Sequence, residues 1–214
     1  MTKRNRHLRI PAALAAGALL LSACGGDEEP TEPDTTETPS ATPSDEETAA
    51  DEVTPEGAQL AFGEKATVEH EQKGGTRTLG LAVQSAKQGA LADFSGFDMD
   101  DPYRKKANYY YVRVEVENAG EERISGGEVP LWGISGENTL LPVVKFTSSF
   151  KKCPTETLPK RFKPGQTFKT CLVYLSPDKG SLEGVSYRPT EEFVPIEWHG
   201  DVETLPKKKG KKKG

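Results

Sequence analysis

The 214 residues carry 28 Lys and Arg against 33 Asp and Glu, a formal charge of −5, and the two signs are segregated along the chain rather than mixed. Basic residues nowhere interleave with aromatics on a recognisable motif, which excludes a nucleic-acid binder. Neither a Walker loop nor a G-x-G-x-x-G fingerprint occurs, which excludes the nucleotide-dependent enzymes built on those loops.

Lys3, Arg4, Arg6 and Arg9 precede the first acidic residue, and an Ala- and Leu-rich apolar run follows over residues 10–21. A helix needs about 20 residues to cross the hydrocarbon core, so this shorter run reads as the h-region of an export signal. Next comes Leu21-Ser22-Ala23-Cys24-Gly25, which resembles the lipobox of bacterial lipoproteins. The resemblance implies cleavage of the Ala23–Cys24 bond, a diacylglycerol on the Cys24 thiol, and residence on the extracytoplasmic face of the bacterial cell membrane. One acyl chain binds only reversibly, at about 0.8 kcal/mol per buried methylene, whereas two chains hold. The alternative is an ordinary secretory signal cut near Ser22-Ala23, leaving Cys24 free or disulfide-bonded.

Residues 25–56 hold twelve carboxylates and no Lys or Arg, interspersed with Pro, Thr and Ser. Such a segment buries too little apolar surface to offset its ordering entropy, and like-charge repulsion extends it, so a disordered acidic tether is expected. The organisation is therefore a signal peptide over 1–23, the lipidated cysteine and tether over 24–57, one domain over 58–205, and a Lys-rich tail over 206–214. From residue 57 onward the balance is 24 basic against 21 acidic, with six of the lysines crowded into the tail.

The domain has roughly 150 residues, enough for one well-buried core. It reads as all-β, with strands expected over 66–70, 76–85, 109–117, 129–134, 139–145, 166–175, 184–187 and 193–198 and no sustained helical period. Turn formers stand between them, at Lys73-Gly74-Gly75, Asn118-Ala119-Gly120, Gly136-Glu137-Asn138, Lys163-Pro164-Gly165 and Pro177-Asp178-Lys179-Gly180. The clearest strand alternates: Tyr110, Val112, Val114 and Val116 on one face, and Tyr109, Tyr111, Arg113, Glu115 and Glu117 on the other. One face buried and one solvated is the mark of an antiparallel sheet in a sandwich. With Cys24 taken by lipid, Cys153 and Cys171 are left as a disulfide pair closing a Pro-rich loop, worth about 3 kcal/mol by loop entropy. C-x17-C matches no metal-ligand spacing.

The runs Tyr109-Tyr110-Tyr111-Val112-Arg113-Val114-Glu115-Val116-Glu117-Asn118-Ala119-Gly120, Phe162-Lys163-Pro164-Gly165-Gln166-Thr167 and Cys171-Leu172-Val173-Tyr174-Leu175 resemble the immunoglobulin-like, telokin-like domains of actinobacterial and firmicute lipoproteins of unknown function. The resemblance covers about residues 76–198 and implies an immunoglobulin-like antiparallel β-sandwich outside the membrane. That family has no shared catalytic residues to carry over.

Few residues suggest chemistry. His7 leaves with the signal, His70 lies between Glu69 and Glu71, and His199 follows Trp198; the latter two read as surface residues. Gly133-Ile134-Ser135-Gly136 lacks the G-x-S-x-G elbow of serine hydrolases. The acidic cluster Asp93, Asp98, Asp100 and Asp101 lies in the longest connection, 89–106, beside Phe94, Phe97, Met99 and Tyr103, with Phe94 and Phe97 expected to cap the core. Flexibly spaced oxygens suit a calcium ion, yet the EF-hand order is absent. The lysine run, Lys207 to Lys213, is expected to attract anionic lipid or a cell-wall polymer, or to act as a solubilising tail. The reading is a non-enzymatic, cofactor-free binding or scaffolding module at the cell surface with an unidentified protein partner. A calcium- or ligand-binding module on loop 89–106 is the alternative, and an unrecognised hydrolase the remote one.

Overall fold

The computed structural model describes residues 52–136 and 139–206. Cys24 and its lipobox, the acidic segment up to residue 51 and the lysine run 207–213 lie outside the described residues. Among the described residues, ten strands, β1 (Gln59–Ala61), β2 (Lys65–Gln72), β3 (Gly75–Gly89), β4 (Asn108–Asn118), β5 (Trp132–Ser135), β6 (Thr139–Leu141), β7 (Thr167–Ser176), β8 (Gly184–Tyr187), β9 (Ile196–His199) and β10 (Val202–Glu203), form two open sheets. One short helix, α1 (Pro102–Lys106), interrupts the β3–β4 connection. Among the described residues no helix is long and apolar enough to cross a membrane.

β4 is central in its sheet, paired antiparallel with β3 from Leu79↔Asn118 to Gly89↔Tyr109 and with β7 from Asn108↔Ser176 to Glu117↔Thr167. Two strands share the other edge of β3: β2 runs antiparallel along 75–82, and β10 runs parallel at Ala86 and Lys87. The second sheet has the order β1-β9-β8-β5-β6, with β1 parallel to β9. The expectation of a purely antiparallel sandwich therefore fails at β1 and β10. Each is only two or three residues long, too short to leave an alternation in the sequence.

The all-β sandwich itself is present. Leu79, Leu81 and Val83 of β3, Val112, Val114 and Val116 of β4, and Leu172 and Tyr174 of β7 pack in one core with Val185, Tyr187, Ile196 and Trp198 of the other sheet. Each fully buried side chain of this kind contributes about 1.5–3 kcal/mol. A bulge between Val83 and Ser85 changes the phase of β3, so that odd-numbered residues before it and Ala86 after it all face the core.

The outer face of β4 departs from expectation. Tyr109 and Tyr111 do point away from the main core, yet they are only 2 % and 3 % exposed. They sit in a second apolar layer with Phe94, Phe150, Cys153, Cys171 and Val173, joined by Phe97, Met99 and Phe146. Phe150 stacks on Phe94 at 4.7 Å and on Phe146 at 4.9 Å between ring centroids. Phe94 and Phe97 thus cover the back of the sheet instead of capping the main core. This layer pins the 89–107 connection to the 142–158 segment, and the Cys153–Cys171 disulfide, with Cα atoms 5.1 Å apart, ties that segment to β7.

Candidate binding surface

The four aspartates of the β3–β4 connection occupy separate posts. Asp93 Oδ2 accepts hydrogen bonds from the Ala90 amide and the Tyr111 hydroxyl, both at 3.0 Å, and Lys152 Nζ lies 3.6 Å from Oδ1. Partial burial pushes this carboxyl up, but the three donors outweigh it and hold it below the ordinary carboxylate range. Burial, reinforced by Asp93, pushes the Tyr111 hydroxyl well above its usual value, so it stays a donor. Asp98 Oδ1 accepts from the Asp100 amide at 3.1 Å. Asp100 extends into solvent and pairs with Lys105 at 2.9 Å, whose hydrogen bond and charge lower its pKa. Asp101 caps α1 by accepting from the amides of Tyr103 and Arg104 at 2.9 and 3.1 Å. The cluster seen in the sequence is thus divided among a loop clamp, a turn, a surface ion pair and a helix cap. Among the described residues no group of three or more His, Cys, Asp or Glu side chains is placed to hold a metal ion.

His199 lies at the surface with Nδ1 3.0 Å from the Glu183 carbonyl and Nε2 3.1 Å from the Glu197 carboxylate. Ser135 is buried and shares a 2.6 Å hydrogen bond with Ser176. His70 is not the surface residue expected. It is half-buried, edge-on to the Tyr187 ring at 6.2 Å, and its Nδ1 is buried with no hydrogen-bond partner. Burial lowers its pKa, and Glu71 offsets part of that effect.

His70 lines a cleft of about 600 Å³ formed where the β2–β3 hairpin, residues 123–132, residues 142–145 and Arg188 come together. The walls bring in five cationic side chains, Lys73, Arg77, Arg123, Lys145 and Arg188, against one carboxylate, Glu128. Arg77 is neutralised by Glu122 at 3.0 Å, and Lys145 by Glu128. Arg188 donates to the main-chain oxygens of Thr190 and Glu191 at 3.3 and 2.6 Å, which fixes its guanidinium without cancelling its charge. Lys73 and Arg123 are exposed and make no hydrogen bond or ion pair among the described residues. Trp132, first residue of β5 and 38 % exposed, completes the wall. The Lys145–Glu128 pair separates this cleft from a second, of about 530 Å³, bordered by Val144, Phe146, Phe150 and Leu172.

Sequence reasoning missed this cleft because its cations are scattered from residue 73 to residue 188 and meet only through the pairing of strands. The one local signal was Trp132, a large aromatic opening a short strand beside a Gly- and Pro-containing segment. No protein-family model, no curated protein and no solved structure matches the chain.

Proposed function

We propose that the chain is a bacterial lipoprotein, held on the extracytoplasmic face of the membrane by acylated Cys24, and that its sandwich is an immunoglobulin-like, telokin-like binding module that catalyses no reaction. The observation that carries the binding role is the cleft beside His70, where Lys73, Arg123 and Arg188 keep their charge unneutralised around an exposed tryptophan. A rigid sandwich that presents a loop-built surface of this kind is a common binding architecture. The lipobox supports the anchor. The meeting of the two family-like turns supports the fold assignment, because the Asn118 amide donates to the Gln166 carbonyl at 3.0 Å and its carbonyl accepts from Gly165 at 2.8 Å.

Sedimentation of residues 25–206 with isolated cell envelope tests the binding role, because acylated Cys24 and the lysine run would each carry the chain down independently of the cleft. The wild type is expected to pellet with the envelope, and a Trp132→Ala, Arg123→Glu variant with an unchanged melting temperature is expected to stay in solution. Equal pelleting of the two would refute the cleft as the contact surface.

A further inference from the structure

We propose that the cleft beside His70 binds an anionic saccharide, with Lys73, Arg123 and Arg188 taking its phosphate or carboxylate oxygens and a sugar ring lying against Trp132. This deepens the binding-module reading and rests on it. Of the five cations that line the cleft, Arg77 is paired with Glu122, and Lys145 takes Glu128, the one carboxylate in the lining. That leaves Lys73, Arg123 and Arg188 lining the same cleft with no carboxylate paired to them, a surplus of positive charge that favours an entering anion. Arg188 is already immobilised by two main-chain oxygens, so it loses little freedom on meeting an oxyanion, and a guanidinium suits the two-oxygen face of phosphate and carboxylate.

Charge alone would be served by any acidic chain; the other two wall features narrow the class. The exposed indole of Trp132 offers a flat apolar face to the C–H side of a pyranose, whose hydroxyls then point outward. The half-buried ring of His70 lines the same cleft and adds a polar group to its wall. The volume, about 600 Å³, lies in the range of small-ligand sites. A wall glycan and a glycolipid headgroup share this chemistry, and purified wall against vesicles of the corresponding lipid separates the two sources.

The test is an NMR titration of the full chain with glucose 6-phosphate, glucose and inorganic phosphate. The chain has two tryptophans, and the buried Trp198, whose Nε1 donates to the Glu64 carbonyl at 3.0 Å, serves as the internal reference. Glucose 6-phosphate is expected to shift the Trp132 indole and the His70 ring saturably while leaving Trp198 in place. The Lys73→Gln, Arg123→Gln variant, with its melting temperature unchanged, is expected to bind at least tenfold more weakly, as are glucose and inorganic phosphate to the wild type. An unchanged midpoint in the variant would overturn the proposal by moving binding elsewhere, for instance to the lysine run. Equal midpoints for inorganic phosphate and glucose 6-phosphate would overturn it by removing the ring. Envelope sedimentation keeps the two readings apart: loss of pelleting in the Trp132 variant, with no phosphosugar bound by the wild type, sinks this ligand class and leaves the binding module standing.

Discussion

Asn118 closes two turns at once. It is fully buried, its Nδ2 donates to the Glu122 and Phe162 carbonyls at 2.9 Å each, and its Oδ1 accepts from the Gly120 amide at 3.3 Å. Asn118→Ala would remove all three of these hydrogen bonds from a buried position, the Phe162 carbonyl keeping only the Ile124 amide, with an expected loss of about 1–3 kcal/mol. The check is a lower urea midpoint at unchanged slope. The sequence showed Asn118 as a turn former, but its second partner is 44 residues away and invisible to local pattern. His70 was misplaced for a related reason. Alternating Glu-His-Glu reads as a solvated edge, whereas the Tyr187 ring of the opposite sheet closes over it. Because burial lowers its folded-state pKa below the unfolded value, the unfolded chain binds more protons as the pH falls through about 6.5. Stability should therefore be full above that pH and decline on acidification until the folded-state pKa is passed. His70→Gln is expected to flatten this part of the profile in urea melts taken from pH 8 to 5; an unaltered slope would assign it to other groups.

At the scale of elements, the main sheet was legible because β2, β3, β4 and β7 are long and alternate. The second layer was not. Tyr109 and Tyr111 share their face with Arg113 and Glu115, and only the arrival of Phe94 and Phe150 from two distant connections buries them. Phe150→Ala should cost about 3–5 kcal/mol, the range for truncating a buried Phe. Cys153→Ala with Cys171→Ala should cost about 3 kcal/mol through loop entropy. Hydrogen exchange distinguishes a layer that holds both connections from one that merely fills space. Phe150→Ala is expected to raise exchange in 89–107 and 142–158 together, and faster exchange in only one of them would contradict the pinning role. Gly89 belongs to the same layer: a Cβ there would lie 2.3 Å from the Tyr111 ring, too close for any side chain. Gly89→Ala should therefore destabilise by about 1–3 kcal/mol through forced repacking, again read in urea.

For the whole molecule, charge segregation was the most legible property and the cleft the least. Runs of like charge need no fold to be seen, whereas a cleft exists only after strands far apart in sequence have paired. The acidic segment 25–56 and the lysine run 207–213 carry opposite charge on either side of the sandwich in the sequence. Deleting residues 207–214 is expected to leave the melting temperature unchanged and to weaken binding to anionic vesicles at low salt, an effect that shrinks at 0.15 M ionic strength, where charges more than a Debye length of about 8 Å apart are screened. The proposed display at the surface rests on acylation of Cys24, and intact-mass spectrometry of the protein extracted from bacterial membranes tests it most directly. The expected species begins at Cys24, is heavier than its amino-acid sequence by a diacylglycerol, and is lost in Cys24→Ser, which should accumulate as an uncleaved or mislocalised precursor. A mature chain of unmodified mass, or a Cys24→Ser protein that matures and fractionates like the wild type, would contradict the anchor and with it the display of this sandwich at the membrane.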